Sequence, residues 1–287
     1  MSTHRITAFA IPLLAGSLAF AASYEGHWER TLNVSGPLNL ELETDSGGIV
    51  VNAGAAGSLH VRAILKANNS WMGGTWGDVE ARIRRIEQNP PIEQNGNTVR
   101  VGRLTDRTLL KGISMRLEVT APPDTKLRAR TDSGGIRVDG IKGPVDAKTD
   151  SGGIHAARIG GEGRAEADSG GIHINGAQGP VWARVDSGGV EASGIAGPVD
   201  AQTDSGGVRI SQTKPASIRA RTDSGGVQVK LVSGAGYDIH AEGDSARVEV
   251  PQLDGGSSVT KRSAKGRLRG GGPLVDLRAG SGTVTIE

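Results

Sequence analysis

Apolar and polar residues alternate along most of this chain in short runs that recur every 18 residues. The tetrapeptide Asp-Ser-Gly-Gly occurs seven times, and the five copies from Asp132 to Asp204 are spaced by 18 residues. Before each copy, small or apolar residues stand at every second position, with mostly charged residues between them. After each copy, two apolar residues flank a polar one. Such alternation predicts strands with one buried face, so each repeat is predicted to hold two short strands joined by a Ser-Gly-Gly corner.

The inward columns of the repeat hold small, β-branched or other apolar side chains. In the six copies from Asp132 to Asp223, the position three residues before the Asp is Ala, namely Ala129, Ala147, Ala165, Ala183, Ala201 and Ala220. A fixed short period is the sequence signature of a solenoid. We therefore predict an all-β, single-domain parallel β-solenoid with coils of about 18 residues and one short inserted helix. The left-handed helix of hexapeptide repeats has the same coil length, but its six-residue subperiod is absent here.

The repeat divides the chain into a regular centre and two looser ends. We predict N-terminal coils over 23–126 with a helical insertion at about 68–97, the regular solenoid over 127–236, and C-terminal coils with a cap over 237–287. The inserted helix is expected from Thr75 to Gln88, because Val79, Ile83 and Ile86 form an apolar stripe. The last strand, 282–287, is expected to cap the roll.

Residues 1–22 have the features of a secretory signal peptide. A short basic start precedes an apolar run from Ile6 to Phe20, and Ala19-Phe20-Ala21 resembles a cleavage site. We expect an exported protein, in the periplasm, at the cell surface or secreted, with no transmembrane segment after cleavage. The chain contains no Cys, so its stability does not depend on disulfides.

Composition narrows the function further. Gly accounts for 45 of 287 residues and aromatics for only 3%, which fits a thin core built from small layers. The formal net charge of +2 is too small to indicate a nucleic-acid partner.

Three segments give the chain a family resemblance. They are Leu117–Pro122, Leu127–Ile136 and Leu274–Val284, each combining an alternating strand with a Pro or a Ser-Gly corner. With these segments the chain resembles the bacterial putative-adhesin β-strand-repeat family, also called toastrack-like, whose function is unknown. The resemblance covers nearly all of the mature chain. It implies an all-β solenoid in an envelope or secreted protein, and it supplies no catalytic residues.

The repeated Asp residues form a column, one per coil, which we call the Asp column. Its members are Asp132, Asp150, Asp168, Asp186, Asp204 and Asp223. Each carboxylate could accept N–H bonds from its own corner in an Asx turn. The alternative is Ca²⁺ held between coils in a calcium-stabilised β-roll, although each coil supplies one Asp where Ca²⁺ takes six to eight oxygens. No other cofactor is expected.

A second column could hold a transition metal. His155, His173 and Glu191 occupy the same outward position in consecutive coils, and imidazole and carboxylate are ligands of Zn²⁺ and Cu²⁺. Arg137 and Arg209 share this column, which favours an ordinary solvated face instead.

Contact residues are predicted in the insertion. Trp71 and Trp76 lie in or beside a polar Gly/Asn loop, where they could dock an envelope component, a glycan or a protein partner, or fold down onto the solenoid. Arg82, Arg84 and Arg85 could meet anionic polymers or form a solvated helix face.

The sequence favours a non-catalytic, adhesin-like binding module of the envelope or exterior. A purely structural spacer or scaffold is the main alternative. An enzyme is not expected, because no Ser-His-Asp set interrupts the repeat and aromatics for a substrate cleft are scarce.

Overall fold

The computed structural model describes residues 24–67, 76–104, 106–244 and 247–287. The predicted signal peptide and Trp71 lie outside these ranges, and the side chains of Trp76 and Arg107 are not described either. Within them the protein is built from β-strands, one α-helix and one 3₁₀ turn. The prediction of an all-β fold with one short helix is confirmed.

The regular region places two strands in every coil, separated by the Ser-Gly-Gly corner. These strands are β8 (Lys126–Ser133), β9 (Ile136–Asp139), β10 (Val145–Ser151), β11 (Ile154–Ile159), β12 (Gly163–Ser169), β13 (Ile172–Ala177), β14 (Val181–Ser187), β15 (Val190–Ile195), β16 (Val199–Ser205), β17 (Val208–Gln212), β18 (Ile218–Ser224) and β19 (Val227–Lys230).

The N-terminal region contributes seven strands and both helical elements. They are β1 (Glu25–Asn33), β2 (Asn39–Ser46), β3 (Ile49–Ala53), β4 (Ser58–Ala67), α1 (Trp76–Gln88), β5 (Ile92–Asn95), β6 (Thr98–Val101), the 3₁₀ turn (Arg107–Leu110) and β7 (Ile113–Ala121). The C-terminal strands are β20 (Tyr237–Gly243), β21 (Arg247–Glu249), β22 (Ser258–Val259), β23 (Ser263–Leu268), β24 (Leu274–Ser281) and β25 (Thr283–Ile286).

Two long sheets form the walls of the solenoid. Sheet A has 12 strands in the order β1-β4-β7-β3-β9-β11-β13-β15-β17-β19-β25-β21. Sheet B has 13 strands in the order β22-β23-β20-β24-β18-β16-β14-β12-β10-β8-β2-β6-β5. Each regular coil gives one strand to each sheet, and neighbouring coils pair in parallel with a register of one repeat, so that Ala147 lies between Ala129 and Ala165. This pairing confirms the predicted parallel β-solenoid.

Successive coils approach each other closely at the Ser-Gly-Gly corner. Gly152 has a φ of +141°, and a Cβ placed on it would lie 2.2 Å from the carbonyl oxygen of Gly134 in the preceding coil. Behind this contact, the buried Thr149 hydroxyl donates to the same Gly134 oxygen at 2.9 Å. Only glycine fits a position that combines positive φ with so close a backbone approach.

The expected Asx turn is not the pattern seen at these corners. The N–H of Gly134, which an Asx turn of Asp132 would use, donates to the carbonyl of Ser151 in the next coil at 2.8 Å. The corners that follow repeat this bond between coils. The corner therefore extends the ladder between coils, and the Asp side chains point outward.

Antiparallel pairing ends the stack at its N-terminal side. Strand β7 pairs in parallel with β3 but antiparallel with β4, which is in turn antiparallel to β1. Helix α1, which confirms the predicted insertion helix, packs on β1, where the N–H of His27 donates to Glu87 at 2.8 Å and Ile83 is fully buried. A Cβ at Gly26 would lie 2.3 Å from Ile83, so glycine lets the helix approach the strand.

The C-terminal strands are not stacked in chain order. Strand β24 lies between β18 and β20, and β25 lies between β19 and β21. The last strand is therefore inside the stack, where Val284 and Ile286 are buried, instead of capping it. Strands β20 to β23 form the outer layer beyond it, including the antiparallel pair β20–β23.

Candidate binding groove on sheet B

The outward face of sheet B carries a column of charged residues that runs across the strands. Strand register places them side by side. In spatial order from β6 to β20 they are Arg100, Glu41, Arg128, Asp146, Arg164, Trp182, Asp200, Arg219, Asp276 and His240. Basic and acidic residues alternate from Arg100 to Arg164 and again from Asp200 to Asp276, and Trp182 is the residue that interrupts the pattern.

Alternation lets neighbouring coils neutralise each other. Arg128 lies 3.2 Å from Asp146, and Arg219 lies 3.6 Å from Asp200. Like charges in such a column would stand ~4.8 Å apart and repel. Exposed pairs of this kind contribute at most about 1 kcal/mol each. The alternating charges of the column are therefore explained by ion pairing between neighbouring coils.

Trp182 has a different environment from the rest of the column. It is only half-buried, and the Arg164 guanidinium carbon lies 3.8 Å from the centre of its ring in a cation–π contact. The indole lines a cavity of about 350 Å³ together with Pro180, Pro198 and Leu274. Leu274 is 49% exposed, which is unusual for a large apolar side chain in this protein. Trp182 thus belongs to an exposed apolar patch on an otherwise charged face.

A second cavity continues the first along the sheet. It has a volume of about 450 Å³ and reaches from Asn39 and Thr98 to Glu162 and Arg164, and Glu162 also lines the cavity beside Trp182. We call the two cavities together the sheet B groove. One wall is the charged column. The other wall is formed by residues that directly precede the strands, such as Pro144 before β10 and Pro180 before β14.

Asp276 places a nearly buried carboxylate in this groove. The residue is 9% exposed and sits among four basic side chains: His240 Nδ1 at 3.3 Å, Arg221 Nη2 at 3.7 Å, and Arg219 Nε and Arg278 Nε at 3.8 Å. Its Oδ1 atom is buried and forms no hydrogen bond within the described parts of the chain. Asp276 therefore fixes several arginines at one end of the groove.

The binding residues predicted in the insertion are only partly described. Trp71 lies outside the described residues, and Trp76 begins α1 with a side chain that is also outside them. Arg82 donates to the carbonyl oxygens of Thr108, Leu109 and Lys111, so it ties the 3₁₀ turn to the helix. Arg85 is exposed on the helix. The structure does not bring Arg82 or Arg85 to the sheet B groove.

No metal site emerges from either predicted column. Among the residues described, no group of three or more His, Cys, Asp or Glu side chains is arranged to hold an ion. The Asp column is exposed, or half-buried at Asp204, with one carboxylate per coil. Nothing in these residues favours the Ca²⁺ hypothesis over a surface column.

The two histidines of the other column stack on the outside of sheet A. The rings of His155 and His173 are parallel within 4°, with centroids 4.8 Å apart, and His173 Nδ1 lies 3.4 Å from Glu191. Burial lowers the pKa of His155, and the neighbouring His173 and Arg137 lower it further. The stack is thus best formed with a neutral His155.

The sequence contains a signal for Trp182, although this residue lies in a strand and not in the loop where contact tryptophans are predicted. Its column is otherwise filled by charged residues in the regular coils, so Trp182 is a break in the repeat at an outward position. A residue that departs from a repeat without any need of the core is a candidate for function.

Comparisons with known proteins identify solved structures but no family model and no curated protein. The solved structures match this chain over most of its length. A "putative adhesin" from Bacteroides fragilis is 12% identical with a TM-score of 0.42, covering 91% of this chain and 97% of its own. A "putative adhesin" from Parabacteroides distasonis is 9% identical with a TM-score of 0.44 and the same coverage. A "putative cell adhesion protein" from Clostridium sporogenes is 13% identical with a TM-score of 0.24, covering 92% and 99%.

None of the described helices is long and apolar enough to cross a membrane.

Proposed function

We propose that this protein is an exported, non-catalytic, adhesin-like binding module, and that it holds its ligand in the sheet B groove with Trp182 as the main contact. The observation that carries the proposal is the half-buried indole beside an open cavity, at the point where the charged column is interrupted. Aromatic side chains at the centre of a contact surface commonly supply much of its binding energy.

The scaffold supports this role because it is rigid and its backbone is already hydrogen-bonded. Every strand around the groove is paired on both sides, from β2 to β24. A ligand on this face must therefore be recognised by side chains, and these side chains stand on strands instead of on loops. A preformed surface of this kind loses little entropy on binding.

The lining of the groove lacks the hydroxyl–histidine pair of a serine-type nucleophile. Its lining hydroxyls are Thr98 and Ser217, and no histidine is among the residues that line either cavity. A nucleophile needs a base within hydrogen-bond reach. The lining thus favours binding over serine-type hydrolysis, and the proposed signal peptide at 1–22 supports a location in the periplasm, at the cell surface or outside the cell.

The test is retention of the purified protein by the envelope fraction of the bacterium that encodes it. We expect the wild type to sediment with this fraction and Trp182→Ala to bind at least about 10-fold more weakly, as for loss of a central aromatic contact. Trp182→Phe keeps a ring and should recover part of the affinity. Arg209→Ala, which removes an exposed side chain from sheet A, is the matched control and should bind like the wild type.

The alternative function, a spacer, predicts a different result. The ion pairs of the charged column satisfy much of this face without any ligand, as a spacer would require. Equal retention of the wild type and Trp182→Ala, or no retention of the wild type, would reject the binding proposal and favour the spacer.

A further inference from the structure

Resting on the proposed function, we propose that the ligand of the sheet B groove is a neutral, hydroxyl-rich glycan chain that lies along the solenoid axis, across the strands. Four features of the groove carry this assignment: its charge, its direction, its hydrogen-bonding groups and the environment of Trp182.

The charges that line the groove cancel. Five basic and five acidic residues line the two cavities: Arg100, Lys126, Arg128, Arg164 and Arg219, and Glu41, Asp146, Glu162, Asp200 and Asp276. A site for a polyanion carries a basic surplus that neutralises the ligand's charges. The absence of a surplus in this lining favours a ligand without net charge.

The groove runs perpendicular to the strands. Its charged wall has one residue on each of nine neighbouring strands, from Arg100 on β6 to Asp276 on β24. At ~4.8 Å per strand, this wall is about 38 Å long. A wall of this length suits an extended chain better than a single small molecule.

The available hydrogen-bonding groups suit hydroxyls. The backbone groups of these strands are used in the ladders, so a peptide could not add to the sheet as it would at an exposed edge. The side chains alternate between donors such as Arg128 and acceptors such as Asp146. A hydroxyl both donates and accepts, so each sugar can bridge neighbouring members of the column.

Trp182 supplies the apolar contact that a sugar ring needs. One side of a pyranose presents C–H groups, which pack on the face of an aromatic ring. Arg164 approaches the indole at 3.8 Å from the preceding coil, and the cavity extends from the indole to Pro198 and Leu274 in the coils that follow. The ring and its charged neighbours thus combine stacking with hydrogen bonding at one place.

The experiment treats the envelope fraction before the protein is added. Periodate cleaves vicinal diols of sugars, whereas protease removes proteins, and each treated fraction is quenched and washed. We expect periodate to reduce retention of the wild type at least about 10-fold and protease to change it less than about twofold. Glycans released from the same fraction are then separated by anion exchange, and the neutral fraction should displace bound protein.

The outcomes separate the ligand assignment from the proposed function. Loss of retention after protease but not after periodate would overturn the glycan and identify a protein partner, with Trp182 still required. Displacement by the acidic glycan fraction alone would overturn the neutral ligand. If the untreated fraction does not retain the wild type, the proposed function fails, and this assignment fails with it.

Discussion

The substitution Gly→Ala should have opposite effects on the stability of the protein at two glycines, Gly152 and Gly163. Gly152 is the first glycine of a corner, with a φ of +141° and an ideal Cβ position 2.2 Å from the Gly134 oxygen and 2.6 Å from its carbonyl carbon. Gly163 lies in strand β12 at negative φ, and its Cβ would meet nothing closer than the Val181 side chain at 3.9 Å. The neighbouring coils carry Val145 and Val181 at the position of Gly163.

The magnitudes follow from the geometry. At Gly152 the backbone conformation costs an alanine about 1–3 kcal/mol. Relief of the overlap with the preceding coil costs a further ~1–3 kcal/mol. We therefore expect Gly152→Ala to lower the free energy of unfolding by about 2–5 kcal/mol, after a small gain from the stiffer unfolded chain. Gly163→Ala meets no overlap, so it should raise the free energy of unfolding by about 0.4–1 kcal/mol.

Urea unfolding followed by far-UV circular dichroism measures both variants against the wild type. A repeat protein can unfold in more than one step, so the comparison uses the first transition as well as the overall midpoint. Wild-type stability in Gly152→Ala, or equal effects at the two positions, would refute the close contact between coils at the corner.

Four further predictions test the architecture. Thr149→Val should lower the free energy of unfolding, measured in urea, by about 1–2 kcal/mol because it removes the hydroxyl that bonds the corner carbonyl. Val185→Thr, at the equivalent position, should raise the free energy of unfolding by up to about 1 kcal/mol, and effects of the same sign would contradict this role. Deletion of residues 154–171 removes one complete coil and should leave a folded protein with unchanged β-type circular dichroism, whereas unfolding would contradict the repeat register. Addition of Ca²⁺ or a chelator should leave the melting temperature unchanged, and a shift of several degrees would restore the Asp column as a metal ladder. Because burial lowers the pKa of His155 in the folded state, the unfolded chain binds the proton first as the pH falls, and the protein should lose stability below about pH 6.5. His155→Gln should lessen this loss of stability when unfolding is compared at about pH 5.5 and 7.5, and an unchanged loss would refute the role of His155.

The regular coils could be predicted from sequence because every column repeats its burial. Ala147 is 1% exposed and Ile154 is fully buried, as the alternation requires, and the charged residues between them face outward. Each local preference agrees with the global register, which leaves little choice of partner strand. The helix was equally visible, because Ile83 and Ile86 mark one face of it.

The ends of the stack could not be predicted from the same signals. In space, strand β24 lies between β18 and β20, although it follows both of them in the chain. Its alternation of buried and exposed residues would be the same in either position, so periodicity does not reveal the spatial order. The antiparallel pairs β1–β4 and β4–β7 likewise use ordinary alternating strands. Strand order depends on long-range pairing, which local pattern does not encode.

The candidate site was missed for a related reason. The predicted contact tryptophans lie in or beside a glycine-rich loop, whereas Trp182 lies in a regular strand and gains its role only from its neighbours across the sheet. Only the register places Arg164 over its ring and sets it beside Pro198 and Leu274. Sequence identified the outward column, and three-dimensional structure was needed to identify the groove.

The most direct test of the central claim is an oxidation footprint of the protein bound to its envelope fraction. Brief exposure to hydroxyl radicals, followed by mass spectrometry of peptides, measures the accessibility of reactive side chains such as tryptophan and histidine without any substitution. The account predicts that oxidation of Trp182 falls several-fold on binding, while His155 and His173 on sheet A are oxidised as in the free protein. Unchanged oxidation of Trp182 in bound protein, or protection confined to sheet A, would show that the ligand lies elsewhere.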